Sequence, residues 1–268
     1  MPDSPYLVRP GKKLKFADHS PDDTGDFKNK DDAADETAKN TEKLSDLQNV
    51  LYAESKQSLL VVLQAIDAGG KDGTIRHVFS GVNPQGCNVT SFKAPSDLEK
   101  SHDFLWRIHA QVPHKGMIGI FNRSHYESVL VERVKKLVPK EVWSKRYDHI
   151  NAFEKMLSDE GITILKFFLH ISKDEQKHRM MARLDNQSKN WKFNPDDLAD
   201  RELWDQYMEA YEDAMEECSK PYAPWYIVPA NHKWFRNWLI GDILVRTLKA
   251  MDPKYPEPAE GLEKIKVK

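Results

Sequence analysis

Residues 58–74 read Ser58-Leu59-Leu60-Val61-Val62-Leu63-Gln64-Ala65-Ile66-Asp67-Ala68-Gly69-Gly70-Lys71-Asp72-Gly73-Thr74. The first seven form a short, continuous, β-rich run, the pattern of a strand buried on both faces of a parallel sheet. A glycine-rich turn follows directly, and residues 74–82 have helical character up to the turn Asn83-Pro84-Gln85-Gly86. Strand, glycine turn and helix in that order predict a β–loop–α unit, and the rest of the chain repeats the alternation.

Upstream, Leu44, Leu47 and Leu51 recur at three- and four-residue spacing, which predicts a helix over 33–54. Residues 1–32 are polar and without sustained period, so they read as an arm. Downstream, strands are predicted at 87–92, 117–121, 162–169 and 225–228. The helices between them are predicted at 96–112, 126–137, 139–161, 172–184, 201–218 and 231–251. Ser96 with Glu99 and Ser172 with Glu175 supply capping boxes, and Pro139 suits a first helical turn. The last helix shows an apolar stripe at Trp234, Trp238, Leu239 and Ile243. Five strands separated by helices imply an α/β fold, a three-layer α/β/α sandwich with a five-stranded parallel sheet. Functional loops are then expected at the carboxyl ends of the strands.

The 268 residues are 40% hydrophobic and 31% charged, a composition for one well-buried core. No apolar run is long enough to span a bilayer, and the first ten residues lack a signal-peptide core. Cys87 and Cys218 make neither a disulfide scaffold nor a metal-ligand spacing, so a cytoplasmic location with no membrane partner is expected. The formal net charge of −2 argues against nucleic acid as a partner. Acids predominate at 18–36, whereas 123–146 and 166–192 are rich in Lys and Arg, enough to line a local channel for a polyanion.

The turn at 67–74 meets three demands of phosphate binding. Gly69, Gly70 and Gly73 let backbone N–H groups crowd round oxygens, the following helix offers its N-terminus, and Lys71 reaches terminal phosphates. Relative to the strict phosphate-loop pattern, Ala65 replaces the first glycine and Asp72 replaces the Ser/Thr after the lysine. Two carboxylates, Asp67 and Asp72, would repel phosphate unless a cation intervenes, and Mg²⁺ is the expected ion. After the strand at 117–121 comes Asn122-Arg123-Ser124-His125-Tyr126-Glu127. A metal-holding carboxylate is common at such a strand end, and here the position is Asn122.

The pair LQAIDAGGKDGTI (63–75) and IFNRSHYE (120–127) resembles the two signature motifs of the family-2 polyphosphate kinases. The likeness continues through VKKLVP (134–139), ILKFFLHISKDEQ (164–176), RLDNQSKNWKF (183–193) and APWYIVPANHKWFRNW (223–238), covering roughly residues 45–250. The resemblance implies a thymidylate-kinase-like P-loop kinase core with a helical lid, Mg²⁺ dependence with Mn²⁺ able to substitute, and a homo-oligomer, dimer or tetramer. The implied activity moves phosphate from inorganic polyphosphate to AMP or ADP, forming ADP and ATP. Asn122 and Glu127 resemble the subgroup acting on both AMP and ADP. On this basis 1–55 is the arm and lead-in helix, 56–252 the kinase core with its lid at about 179–200, and 253–268 a tail.

Residue by residue, Asp67 and Lys71 match the family's essential loop positions, and Arg123 matches its second-motif arginine. Ala68, Gly69, Gly70, Asp72, Gly73 and Thr74 are the expected phosphate-binding loop, and Asn122 is the expected nucleotide contact. Glu127 supplies a carboxylate either to the metal, with Asp67, or to orient the acceptor. Polyphosphate needs an extended cationic groove, with Lys71, Arg123 and Arg133 on one wall and Arg179, Arg183, Lys189 and Lys192 on the other. An acceptor phosphate is already ionised near neutral pH, so no strong general base is demanded. His125 is expected as a packing residue beside the site. Two rivals remain on the residues alone: an ATP-dependent nucleotide kinase of the same fold, and a non-catalytic nucleotide-binding module.

Overall fold

The computed structural model describes residues 2–261 together with Ile265 and Val267. Its parallel sheet comprises β1 (Ser58–Gln64), β2 (Cys87–Ser91), β3 (Ile118–Asn122), β4 (Ile162–His170) and β5 (Trp225–Pro229), in the order β2-β3-β1-β4-β5. Helices of seven residues or more are α1 (Ala34–Glu54), α2 (Lys71–Val78), α3 (Arg146–Asp159), α4 (Lys173–Leu184), α5 (Asp196–Glu202), α6 (Trp204–Cys218) and α7 (Lys233–Met251).

Every residue of β1 is buried, as its unbroken apolar run requires of a central strand flanked by β3 and β4. The connection from β1 to β2 runs one way across the sheet and that from β3 to β4 runs the other. Right-handed crossovers therefore place α2 and α3 on opposite faces. α7 packs with α1 and with α2, and α6 packs with α3, completing three layers. Because the connections from the neighbouring strands β1 and β3 go opposite ways, a crevice opens beyond their carboxyl ends.

Several helices are shorter than the periodicity suggests. The Ser96–Glu99 capping box forms, but its helix lasts only Asp97–Lys100 before a second turn at Trp106–His109. The Ser101 hydroxyl donates back to the Leu98 carbonyl, and Asp103 caps the Leu105 N–H, so local side-chain bonds replace the helical ladder. The stretch 126–137 holds two short turns, His125–Ser128 and Val131–Val134, and the helix expected at 139–161 breaks between Trp143 and Arg146. The helix expected at 74–82 is α2, beginning at Lys71 and ending at Val78. The expected stripe on α7 faces inward but is wider than read: Leu239 and Ile243 are buried with Phe235, Ile240 and Leu244, while Trp234 and Trp238 pack half-buried at the core's edge and hold Phe27 edge-on.

The N-terminal arm is packed. Val8 donates to the Trp225 carbonyl and Ile227 to the Tyr6 carbonyl, both at 2.9 Å, so residues 6–8 run antiparallel along β5 and cover that sheet edge. Phe16 then stacks on His170 and lies tilted against Phe168. Of the expected tail at 253–268, residues 262–264, 266 and 268 lie outside the described residues.

Candidate active site

The turn after β1 is tight for reasons its residues explain. Ala68 and Gly70 both have positive φ, +61° and +102°. A Cβ on Gly69 would stand 2.5 Å from the Ala65 Cβ and 2.8 Å from the Ile66 carbonyl oxygen, so no side chain fits there. The replacement of the usual first glycine by Ala65 is thus matched by a glycine facing it. Lys71 opens α2 with 9% of its surface exposed, and its Nζ donates to the Ala65 carbonyl at 2.7 Å. Burial, with Arg123 adding like charge, lowers its pKa to about 8 against the pull of Asp67, Glu127 and Asp72.

β3 ends beside this loop, in register with β1 from Leu59–Ile118 to Leu63–Asn122. Arg123 follows with φ +63°, an unusual left-handed conformation for arginine, and donates its N–H to the Leu63 carbonyl. That backbone turns its guanidinium onto Asp67, with Nη2 to Oδ1 at 2.8 Å. Asn122 donates to Asp72 Oδ1 at 2.9 Å, and Lys192 approaches Asp72 Oδ2 at 3.3 Å, bringing the 187–192 turn down on the loop. These neighbours and Lys71 hold the Asp72 carboxyl below its usual range despite the opposing, larger effect of burial. Glu127 is half-buried, and desolvation raises its carboxyl in spite of Arg123 and Lys71.

Two cavities meet here. One, about 850 Å³, runs over the loop and is lined by nine lysines and arginines against four carboxylates, among them Lys71, Arg183, Lys189, Lys192 and Asp72. The other, about 710 Å³, lies toward Glu127, His125, Phe104 and Tyr211 and has eight carboxylates against six such cations. Asp67, Lys93, Arg123, Asn194 and Asp197 line both, so the Asp67–Arg123 pair stands at the junction. Asp197, on α5, is pushed up to about 6 by burial and then by Asp67.

Most of the expected residues converge, and two do not. Asp67, Ala68, Gly69, Gly70, Lys71, Asp72, Gly73, Asn122, Arg123, Arg183, Lys189 and Lys192 line the cation-rich groove, and Glu127 lines the neighbouring chamber. Thr74 is fully buried with its hydroxyl turned back to the Gly70 carbonyl, so it faces neither space. Arg133 is paired with Asp213 and Glu209 and lies over the Trp143 ring, away from both cavities. The expected nucleotide contact, Asn122, opens onto the groove rather than onto the Glu127 chamber. Arg179 lines the groove but acts as a clamp: it donates to the Ala68, Gly69, Ala230 and Asn231 carbonyls and pairs with Glu175.

His125 is buried, as expected of a packing residue. It bonds Glu154, which also receives the Tyr126 hydroxyl and the buried Lys166, so β4 and α3 fix the second motif from beneath. Sequence reasoning missed Lys93 and Arg236. Lys93 stands at the tip of β2, its carbonyl pinned by Arg107, and the adjoining Phe92 packs edge-on against Phe121. Lys93 falls in none of the stretches that carry the likeness, and Arg236 falls in the stretch 223–238 without a role being marked for it.

Among the described residues no three His, Cys, Asp or Glu side chains converge to hold a metal unaided. Asp67 is bound at Oδ1 by Arg123, while Asp72 is engaged by Asn122 and Lys192. One or two carboxylates facing a phosphate groove fit a hard divalent cation that takes its remaining oxygens from substrate and water.

The sequence profile described as Polyphosphate kinase 2 matches residues 27–256. The chain is 58% identical to an AMP/ADP-polyphosphate phosphotransferase of Meiothermus ruber, over 97% of this chain and 98% of that one. It is 47% identical to an ADP-polyphosphate phosphotransferase of Rhodopseudomonas palustris, over 85% and 83% respectively. The crystal structure of a polyphosphate kinase 2 from Arthrobacter aurescens TC1 superposes with a TM-score of 0.93 at 42% identity, covering 97% of this chain and 93% of that one.

Proposed function

This chain belongs to the polyphosphate kinase 2 family, and from that premise we propose that it transfers phosphate from inorganic polyphosphate to AMP and ADP, forming ADP and ATP, with Mg²⁺. The observation that carries the reading is the pair of unlike cavities meeting at Asp67 and Arg123. A chain with about one negative charge per unit suits the cation-rich groove. A nucleotide, with few charges and a large uncharged body, suits the chamber with the apolar and carboxylate walls.

Lys71 and the N–H groups of the loop take the terminal phosphate of the donor, and Arg123 neutralises the oxygens of the migrating group. An oxygen of the acceptor phosphate, already ionised, bonds to that phosphorus as the bridging P–O bond breaks, and its electron pair leaves on the shortened chain. Asp67 holds Arg123 in place, and it would also hold the cation, which would supply further charge neutralisation on the phosphates. Glu127 orients the acceptor. The stretch 179–200 serves as the lid within a 56–252 core, with Lys189 and Lys192 closing on the polymer. The same reading places a homo-oligomeric enzyme in the cytoplasm. Among the described residues no helix is long and apolar enough to cross a membrane.

The test is incubation with AMP or ADP, Mg²⁺ and polyphosphate, without any nucleoside triphosphate. ADP and ATP are the expected products. Turnover with ATP alone as donor would make the chain an ordinary nucleotide kinase, and binding without turnover would make it a regulatory module.

A further inference from the structure

Arg236 lies in the first turn of α7 with 2% of its surface exposed. Its Nε and Nη2 both donate to Asn237 Oδ1, at 3.1 and 2.8 Å, and Nη1 has no hydrogen-bond partner among the described residues. Burial, and after it the like charge of the neighbouring Arg179, brings the guanidinium down to about 9. Arg179 spends its own donors on backbone carbonyls and on Glu175. Arg236 has no such carboxylate. A buried cation without a counterion destabilises a fold, and chains keep one where a ligand supplies the opposite charge.

Its position says what that ligand is. A Cβ on Gly70 would stand 2.3 Å from Arg236 Nη1, and one on Gly73 would stand 3.6 Å from Nη2. The guanidinium therefore lies directly behind the phosphate loop, and the glycine at position 70 leaves room for it as well as meeting its positive φ. Arg236 also lines the cation-rich groove, together with Lys233 and Lys189.

We propose that Arg236 is a buried anion receptor of the groove, binding non-bridging oxygens of a donor-chain phosphate through Nη1, so that its counterion is the substrate. This rests on the reading that the groove holds the donor. A guanidinium edge aimed at phosphate forms charge-assisted bonds, each stronger than a neutral one.

The test compares Arg236→Met and Arg236→Lys with the unaltered chain, by thermal unfolding with and without inorganic tripolyphosphate and by steady-state kinetics. Without ligand, Arg236→Met should unfold at the same temperature or a higher one, because an uncompensated charge has gone. The stabilisation by tripolyphosphate should shrink, and the KM for polyphosphate should rise at least about tenfold. The KM for AMP should stay within about twofold, and Arg236→Lys should recover part of the polyphosphate KM. A less stable Arg236→Met protein with an unchanged polyphosphate KM would make Arg236 a structural tie and overturn the proposal. If Arg236→Met does not fold, Arg236→Lys decides: an unchanged polyphosphate KM overturns the proposal and a raised one supports it. An unaltered chain stabilised by ATP but not by tripolyphosphate would instead defeat the assignment of the donor.

Discussion

Lys71 carries two burdens at once, because the burial that aims its ammonium into the groove also weakens its hold on the proton. Its pKa is about 8 in the folded chain against an ordinary 10.5. Between those values the unfolded chain binds the proton more strongly. The cost of burying Lys71 is therefore full below about pH 8 and is relieved as pH rises toward 10.5. Activity runs the other way, since only the protonated lysine neutralises a phosphate. The kcat/KM for polyphosphate, which reports the free enzyme, should fall as pH rises through about 8. The kcat should hold to higher pH, because bound phosphate strengthens the proton's hold. Lys71→Ala should lose at least about 10²-fold in turnover, roughly 2.7 kcal/mol of transition-state stabilisation. A kcat/KM profile level through pH 10, or near-normal turnover in Lys71→Ala, would remove the lysine from the chemistry.

The N-terminal arm shows how a stretch without period can still be structural. Tyr6 and Val8 pair with β5 across more than two hundred residues of sequence, and Phe16 stacks on His170 at 4.9 Å between ring centroids. Burial lowers the His170 imidazole to about 4 from an ordinary 6.5. The unfolded chain binds that proton first, so stability present above pH 6.5 should drain away as pH falls toward 4, by about 3 kcal/mol at most. His170→Phe should flatten the dependence of Tm on pH across that window, and an unchanged slope would place the acid sensitivity elsewhere. Local runs made the central strands legible: β1 falls at 58–64 as read, because a strand buried on both faces carries a continuous apolar run, here Leu59–Leu63. The broken helices were not legible, because a hydroxyl bonding back within its own turn leaves the apolar spacing intact. Nor was the arm, whose partner is non-local.

The same distinction runs through the site. The loop at 67–73 and the second motif at 122–127 were readable because strand, turn and lysine sit together in sequence. Arg236 and Lys93 reach the groove only through the fold, and Arg133 leaves it because Asp213 and Glu209 on α6 claim its guanidinium first. What the assembled chain adds is a separation of charge: nine cations against four carboxylates in the groove, six against eight in the chamber. A polyanion in the groove interacts with many of those cations over distances comparable to the screening length, about 10 Å at 0.1 M salt. A nucleotide in the chamber meets opposed charges that largely cancel. Raising monovalent salt from about 0.05 to about 0.3 M should therefore raise the KM for polyphosphate several-fold more than the KM for AMP. Lys189 and Lys192 lie on the 187–192 turn beside the loop, and Lys192 touches Asp72 at 3.3 Å. Replacing both by alanine should raise the polyphosphate KM at low salt and reduce its salt slope, while the AMP KM moves little. Were the AMP KM the more salt-sensitive, or the double variant to weaken AMP in preference to polymer, donor and acceptor would have to exchange cavities.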